Sequence, residues 1–145
     1  AINAALGSAT ANDNCDGSTP VVTSNSEVSS DGCTRTQTRT FTSTDICGNT
    51  STVTRTISWK VDLVAPVITA TGTVSNNSNI GCNPSADAIN AALGTATAQD
   101  NCDGSRPVSI ADSPVSNNDC LRSQTRTFTS TDVCGNSSSL PVDGL

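Results

Sequence analysis

The sequence contains no histidine, methionine or tyrosine, and its aromatic side chains are two phenylalanines and one tryptophan. Without histidine there is no Ser-His-Asp or Cys-His arrangement for nucleophilic catalysis. Zinc loses one of its usual ligands, and no CxxC pair compensates. No glycine-rich phosphate loop occurs. Carboxylate pairs cleave glycosides in other folds, but a sugar cleft usually wants aromatic walls, and these are scarce. The absences predict a protein that is not an enzyme. Lys60 is the only lysine, so lysine–asparagine isopeptide bonds cannot be a general staple. No stretch is long and apolar enough to span a bilayer, so no membrane insertion is expected. The net charge of −6 argues against nucleic acid and anionic membranes as partners. A chain without methionine is expected to be a mature form or a piece of something longer.

What the chain does contain is Thr, Ser, Asn and cysteine. With 145 residues it can make one or two small domains. At 34% hydrophobic residues the core supply is thin, and seven cysteines are available as staples. Abundant Thr with little Glu or Lys suits strands more than helices.

The chain repeats itself. "AINAALGSATANDNCDGS" from Ala1 pairs with "AINAALGTATAQDNCDGS" from Ala88, and "QTRTFTSTDICGN" from Gln37 returns as "QTRTFTSTDVCGN" from Gln124. About 35 of the first 49 positions are identical without a gap, at a period of about 87 residues. That period suits a whole sandwich-type domain. Two domains are expected, residues 1–63 lacking a first strand and residues 64–145 lacking or shortening the last one, with a short linker at Val61–Pro66. Val64–Leu145 is read as a strand at Ala65–Ser75, a helix at Ser85–Gly94, a strand at Thr95–Gln99, an Asp-Gly turn at Asn101–Ser105, weak strands within Arg106–Ser116 and a strand at Leu121–Asp132. Ser85 caps the helix, Asp87 suits its first turn and Gly94 stops it. In the first copy a further strand follows at Ser51–Asp62.

Period-two alternation in the first copy puts Arg35, Gln37, Arg39 and Phe41 on one face of their strand. Val53, Arg55, Ile57, Trp59 and Val61 share a face of the next one. Trp59 is expected to be the main core aromatic, with Arg39 or Arg55 over it.

"TATAQDNCDGS" followed by "QTRTFTSTDVCGN" resembles the four-cysteine HYR-like repeats, which occur in tandem in Bacteroidetes-type secreted and surface proteins. The motif falls on Asp13-Asn14-Cys15 with Asp45 to Asn49, and on Asp100-Asn101-Cys102 with Asp132 to Asn136. The resemblance implies immunoglobulin-like sandwiches, an extracellular or cell-surface setting, a structural or adhesive role and no catalytic residues. The expected fold is therefore all-β: tandem immunoglobulin-like β-sandwiches with one short helix per repeat, disulfide-stapled and incomplete at both chain ends.

Cys120 and Cys134 flank one strand of roughly a dozen residues, some 40 Å at about 3.3 Å per residue, too far for a disulfide if that strand is continuous. Strand ends that share a pole of an up-and-down sandwich favour Cys15–Cys47 and Cys102–Cys134, and the opposite pole then joins Cys82 to Cys120. Cys82–Cys102 is the rival pairing.

The acidic turns form a second group. Asp62, Asp100, Asp103 and Asp132 are expected to ring one pole, at a domain junction. Calcium takes six to eight oxygen ligands from such groups; Asp, Asn and Gly are also simply what tight turns use.

After the second "CGN" the chain reads "SSSLPVDGL", where the first copy has "TSTVTRTISWKVD". Three readings follow: a window cut from a longer array, a shortened strand in which Leu140 and Val142 enter the core with some help from Leu145, or a strand added by another subunit. The third makes Gln124, Arg126, Phe128, Leu140 and Val142 an assembly surface and neighbouring copies the partners. The first functional expectation is a subunit or repeat of an extracellular bacterial fibre. The second is a surface adhesin that binds a glycan or protein ligand, with calcium as its possible cofactor.

Overall fold

A computed structural model describes residues 1–73 and 75–144 of the chain. The chain separates into two compact units, Ala1–Val61 and Asp62 onward. The boundary lies inside the expected linker, two residues before the expected domain edge. Asp62 goes with the second unit because the Asn136 side-chain amide donates to its carbonyl at 3.0 Å.

Unit 1 opens with helix α1 (Ile2–Leu6) and the short hairpin β1 (Ala11–Asp13) and β2 (Gly17–Thr19). Its sheet contains β3 (Val21–Asn25), β4 (Ser29–Asp31), β5 (Thr34–Thr44) and β6 (Thr50–Lys60). β5 is central, with β3 and β4 along one edge and β6 antiparallel along the other. Inward alternation on β5 buries Arg39 and Phe41, and α1 adds Leu6. The alternation is as expected, but the core aromatic is Phe41, while Trp59 is half-buried.

Unit 2 begins with β7 (Val67–Thr71) and α2 (Ala86–Leu93). β8 (Thr95–Asp100), β9 (Gly104–Arg106), β10 (Ser109–Asp112), β11 (Ser116–Asn118), β12 (Leu121–Thr131) and β13 (Ser137–Gly144) follow. The order β7-β8-β9 makes one sheet. The second is centred on β12, with β10 and β11 on one edge and β13 on the other. β7 packs on β12 and β13, giving the sandwich. Phe128, Leu93, Ala92 and Ala98 form the core, with Phe128 0% exposed. α2 follows its sequence signals: Ser85 Oγ accepts from the Ala88 N–H at 3.2 Å, Asp87 lies in the first turn, and Gly94 ends the helix at φ 72°. The first strand is shorter than the expected Ala65–Ser75, within which Val74 lies outside the described residues.

Two expectations are corrected here, the assembly surface and the disulfides. Of the three readings of "SSSLPVDGL", the shortened strand is the one that forms. β13 pairs with β12 from Thr131↔Ser137 to Gln124↔Gly144, so the β12 edge proposed for assembly is filled within the chain. Gln124 and Arg126 pair with Gly144 and Val142, Leu140 lies opposite the buried Phe128, and Leu140 and Val142 are half-buried. Pro141 is tolerated because β13 is an edge strand, where a missing N–H costs no ladder bond. Leu145 lies outside the described residues. β13 is still shortened, at 8 residues against 11 in β6.

The second correction concerns cysteine. Cys15, Cys47, Cys82, Cys120 and Cys134 carry exposed free thiols, so Cys15–Cys47, Cys102–Cys134 and Cys82–Cys120 are not formed. The shared-pole geometry is nonetheless real. The Ile46 N–H donates to Asp16 at 3.0 Å and the Val133 N–H to Asp103 at 2.8 Å, so each pair of cysteine-bearing turns is tied together by carboxylates next to the cysteines.

Candidate functional site

The strongest cluster of chemistry lies at one pole of unit 2. Asp62, Asp100, Asp103 and Asp132 each offer a carboxylate oxygen, and these oxygens all lie within 4.8 Å of one another. The sequence named these four residues, and the fold brings them together inside one unit. Asp100 ends β8 and organises the turn: its Oδ1 accepts from the N–H groups of Cys102 and Asp103 at 2.9 and 2.8 Å. This is the Asx-type turn that "DNCDG" encodes. Asp103 accepts from Val133 and so joins that turn to the next. Asp132 accepts from the Asn136 N–H at 2.8 Å and from its side-chain amide at 2.6 Å. Asp62 Oδ1 accepts from the Val64 N–H at 3.2 Å.

Burial of Asp132 pushes its carboxyl pKa up, but the Asn136 side chain and the N–H groups of Asn136, Gly135 and Cys134 outweigh this and hold it below the usual value. Asp62 and Asp100 are 7% and 8% exposed, and the Oδ2 atom of each is buried without a hydrogen-bond partner. Buried carboxylate oxygens left unpaired are costly.

Unit 1 repeats three of the four. Asp13, Asp16 and Asp45 are grouped within the same 4.8 Å limit, with the same turn bonds. The Asn49 side chain is the first cause of a lowered Asp45 pKa. Among the described residues no counterpart of Asp62 completes this group, and Asp13 and Asp45 are only half-buried.

The same contrast continues along β1. In unit 2 the whole of β8 pairs with β7, from Val67↔Gln99 to Thr71↔Thr95. Ser138 Oγ donates to the Pro66 carbonyl at 2.5 Å. Among the described residues no strand pairs with β1 as β7 pairs with β8, and only Ala11–Asp13 of the equivalent stretch is strand. Ala98 is 1% exposed, whereas its equivalent Ala11 is half-buried. Leu140 is half-buried, but its equivalent Val53 is 65% exposed. A cavity of about 180 Å³ lined by Ala11, Asp13, Asp45, Asn49 and Ser51 lies where Pro66–Ile68 sits in unit 2.

Sequence reasoning missed a third feature, a buried arginine clamp. Arg126 donates from Nε and Nη2 to the two Asp112 carboxylate oxygens, both at 2.7 Å. It also donates to the Gly94 carbonyl at 2.8 Å and the Asn90 side chain at 2.9 Å. A guanidinium at the last carbonyls of α2 is also favoured by the helix dipole. Arg39 does the same in unit 1, bonding Asn25, Gly7 and Asn3, so it is not the cation over Trp59. The available signal was an arginine at the same repeat position facing an Asn25/Asp112 exchange.

The Arg126 hydrogen bond is the first cause that lowers the Asp112 pKa from 3.8, against burial and with help from the arginine charge. A depressed carboxyl contributes stability that is present above its unfolded value and lost as pH falls through the folded one. Asp112→Asn should therefore lower unit 2 stability modestly at pH 7, by about 1 kcal/mol, since the pair is partly solvated. The difference from wild type should shrink as pH falls through the lowered folded value of Asp112. Thermal melts of both proteins across pH check this; a gap that widens in acid contradicts it.

Residues 1–58 match the family described as HYR-like domain with 4 cysteines. HYR-like domains are extracellular adhesion-type repeat domains. No curated protein matches the chain. Among the described residues no helix is long and apolar enough to cross a membrane.

Proposed function

We propose that the chain is a repeat segment of an extracellular structural fibre, and that the open edge of unit 1 takes up a β7-type strand from outside residues 1–145. The observation that carries this is the uncovered groove beside β1 and β6, set against the same groove filled by β7 in unit 2. A strand there would pair with Ser8–Asn12 as Val67–Thr71 pairs with Thr95–Gln99, and would cover Val53. Backbone pairing gives such a strand its affinity and alternate side chains give it register. The receptor edge is thus β1, not β12.

A synthetic peptide with the sequence Leu63–Thr71 tests the reading on the full chain. It should bind saturably, and hydrogen exchange of the Ser8–Asn12 amides should slow at least tenfold while those of Thr95–Asp100 stay unchanged. Binding without protection of Ser8–Asn12, or no binding, contradicts the acceptor role.

A ligand-binding adhesin is the second reading. It rests on an open groove of about 500 Å³ in unit 2 lined by Thr71, Thr73, Asn90, Thr95, Ile110 and Arg126. That groove has no aromatic wall for a sugar face, and the Arg126 donors are already engaged. It supports the adhesin less than the open strand edge supports the fibre.

A further inference from the structure

We infer that the carboxylate quartet of unit 2 is a calcium site that ties the segment entering β7 to the two turns at its pole. Four carboxylates from three separate stretches of chain converge, Asp62 before β7, Asp100 and Asp103 around the β8–β9 turn, and Asp132 at the end of β12. Convergence alone is not evidence of a ligand. The second observation is that Asp62 Oδ2 and Asp100 Oδ2 are withdrawn from solvent with no donor facing them. Every other oxygen named at this pole has an N–H partner, so the turn chemistry that explains those atoms does not explain these two.

The donor set selects the ion. All the donors are hard oxygens and histidine is absent, which disfavours zinc and copper. Magnesium keeps several waters and uses one or two carboxylates, whereas calcium accepts six to eight oxygens in a flexible shell. Four carboxylates at a mostly buried site match calcium. The hydrogen-bonded oxygens can still contribute, since an ionised carboxylate has roughly four lone-pair sites.

Unit 1 is the internal control. Its three carboxylates are more exposed and have no fourth among the described residues, so residues 1–145 should hold one tight site rather than two.

The test is calcium uptake by the full chain after chelator treatment, measured by equilibrium dialysis with calcium chloride and, separately, magnesium chloride. One calcium per chain should bind, at least tenfold more tightly than magnesium, and raise the melting temperature of unit 2. Asp62→Asn and Asp100→Asn should each weaken uptake at least tenfold. Asp62→Asn should also leave the calcium-free protein as stable as wild type or more so, because it relieves repulsion while keeping the Asp62 carbonyl bonded to Asn136. A purely structural turn residue would do neither. The inference is overturned by no uptake at millimolar calcium, by equal uptake of magnesium, or by uptake that Asp62→Asn leaves intact. The peptide itself lacks Asp62 and its readout lies in unit 1, so failure of the calcium site and failure of the acceptor reading are distinguishable.

Discussion

Gly94→Ala is expected to cost unit 2 at least ~4 kcal/mol, enough to unfold it, while the equivalent Gly7→Ala costs unit 1 only about 1–3 kcal/mol. Both glycines end a helix in a backbone region that essentially only glycine occupies, φ 72° and ψ −159° at Gly94 and φ 70° and ψ −164° at Gly7. That shared strain sets the smaller figure. At Gly94 a Cβ would also lie 2.0 Å from the Thr71 carbonyl oxygen and 2.7 Å from the Gly72 Cα, both backbone atoms at the end of β7. At Gly7 it would meet only the movable tip of the Arg55 side chain, at 2.8 Å. The difference between two identical substitutions therefore reports the backbone of β7 packed against Gly94, which has no counterpart against Gly7 among the described residues. Trp59, the only tryptophan, follows unit 1 by fluorescence, and exchange of the β12 amides follows unit 2. Equal costs in the two units would contradict the difference drawn between them.

Arg126→Ala should cost about 2–4 kcal/mol, because it removes four hydrogen bonds and leaves the Gly94 carbonyl without its buried donor, while the part-exposed Asp112 can be hydrated again. Lysine should rescue little of this, since one ammonium cannot reproduce a fork that makes four bonds to three partners. Arg39→Ala should cost less, about 1–3 kcal/mol, because its partner Asn25 leaves no orphan charge behind. Denaturant titration of the three variants measures the order, and an Arg39 variant as damaged as Arg126→Ala would show that the charge pair is not the source.

Much of this was legible in the sequence because local chemistry and period agree. Ser85 and Gly94 bracket a helix by capping rules that hold regardless of tertiary context. The long hairpin strands follow from alternation, and the acidic quartet follows from placing "DNCDG" and "TDVCGN" at strand ends of one pole. What failed depended on long-range packing. Trp59 has the right face of β6 for burial, but with no β7-type strand among the described residues of unit 1, Val53 on the same face is mostly exposed. For "SSSLPVDGL" the sequence leaves three readings open, and pairing with β12 selects the shortened strand, whose Pro141 is tolerated at an edge. The expected disulfides came from strand poles, which place backbones but do not join sulfurs. The arginine clamp was invisible because a basic residue in a Thr-rich strand reads as surface. Its burial depends on carbonyl and side-chain acceptors 32 and 36 residues away in the helix.

The central claim is that the open edge of unit 1 is completed by a β7-type strand from outside residues 1–145. Electron cryomicroscopy of the assembled fibre, at a resolution that traces backbone, tests it most directly. The account predicts an added antiparallel strand hydrogen-bonded along Ser8–Asn12, with its apolar side chains over Val53 and the Phe41 core. A fibre in which that edge remains open to solvent, or in which the added strand lies elsewhere, would contradict it.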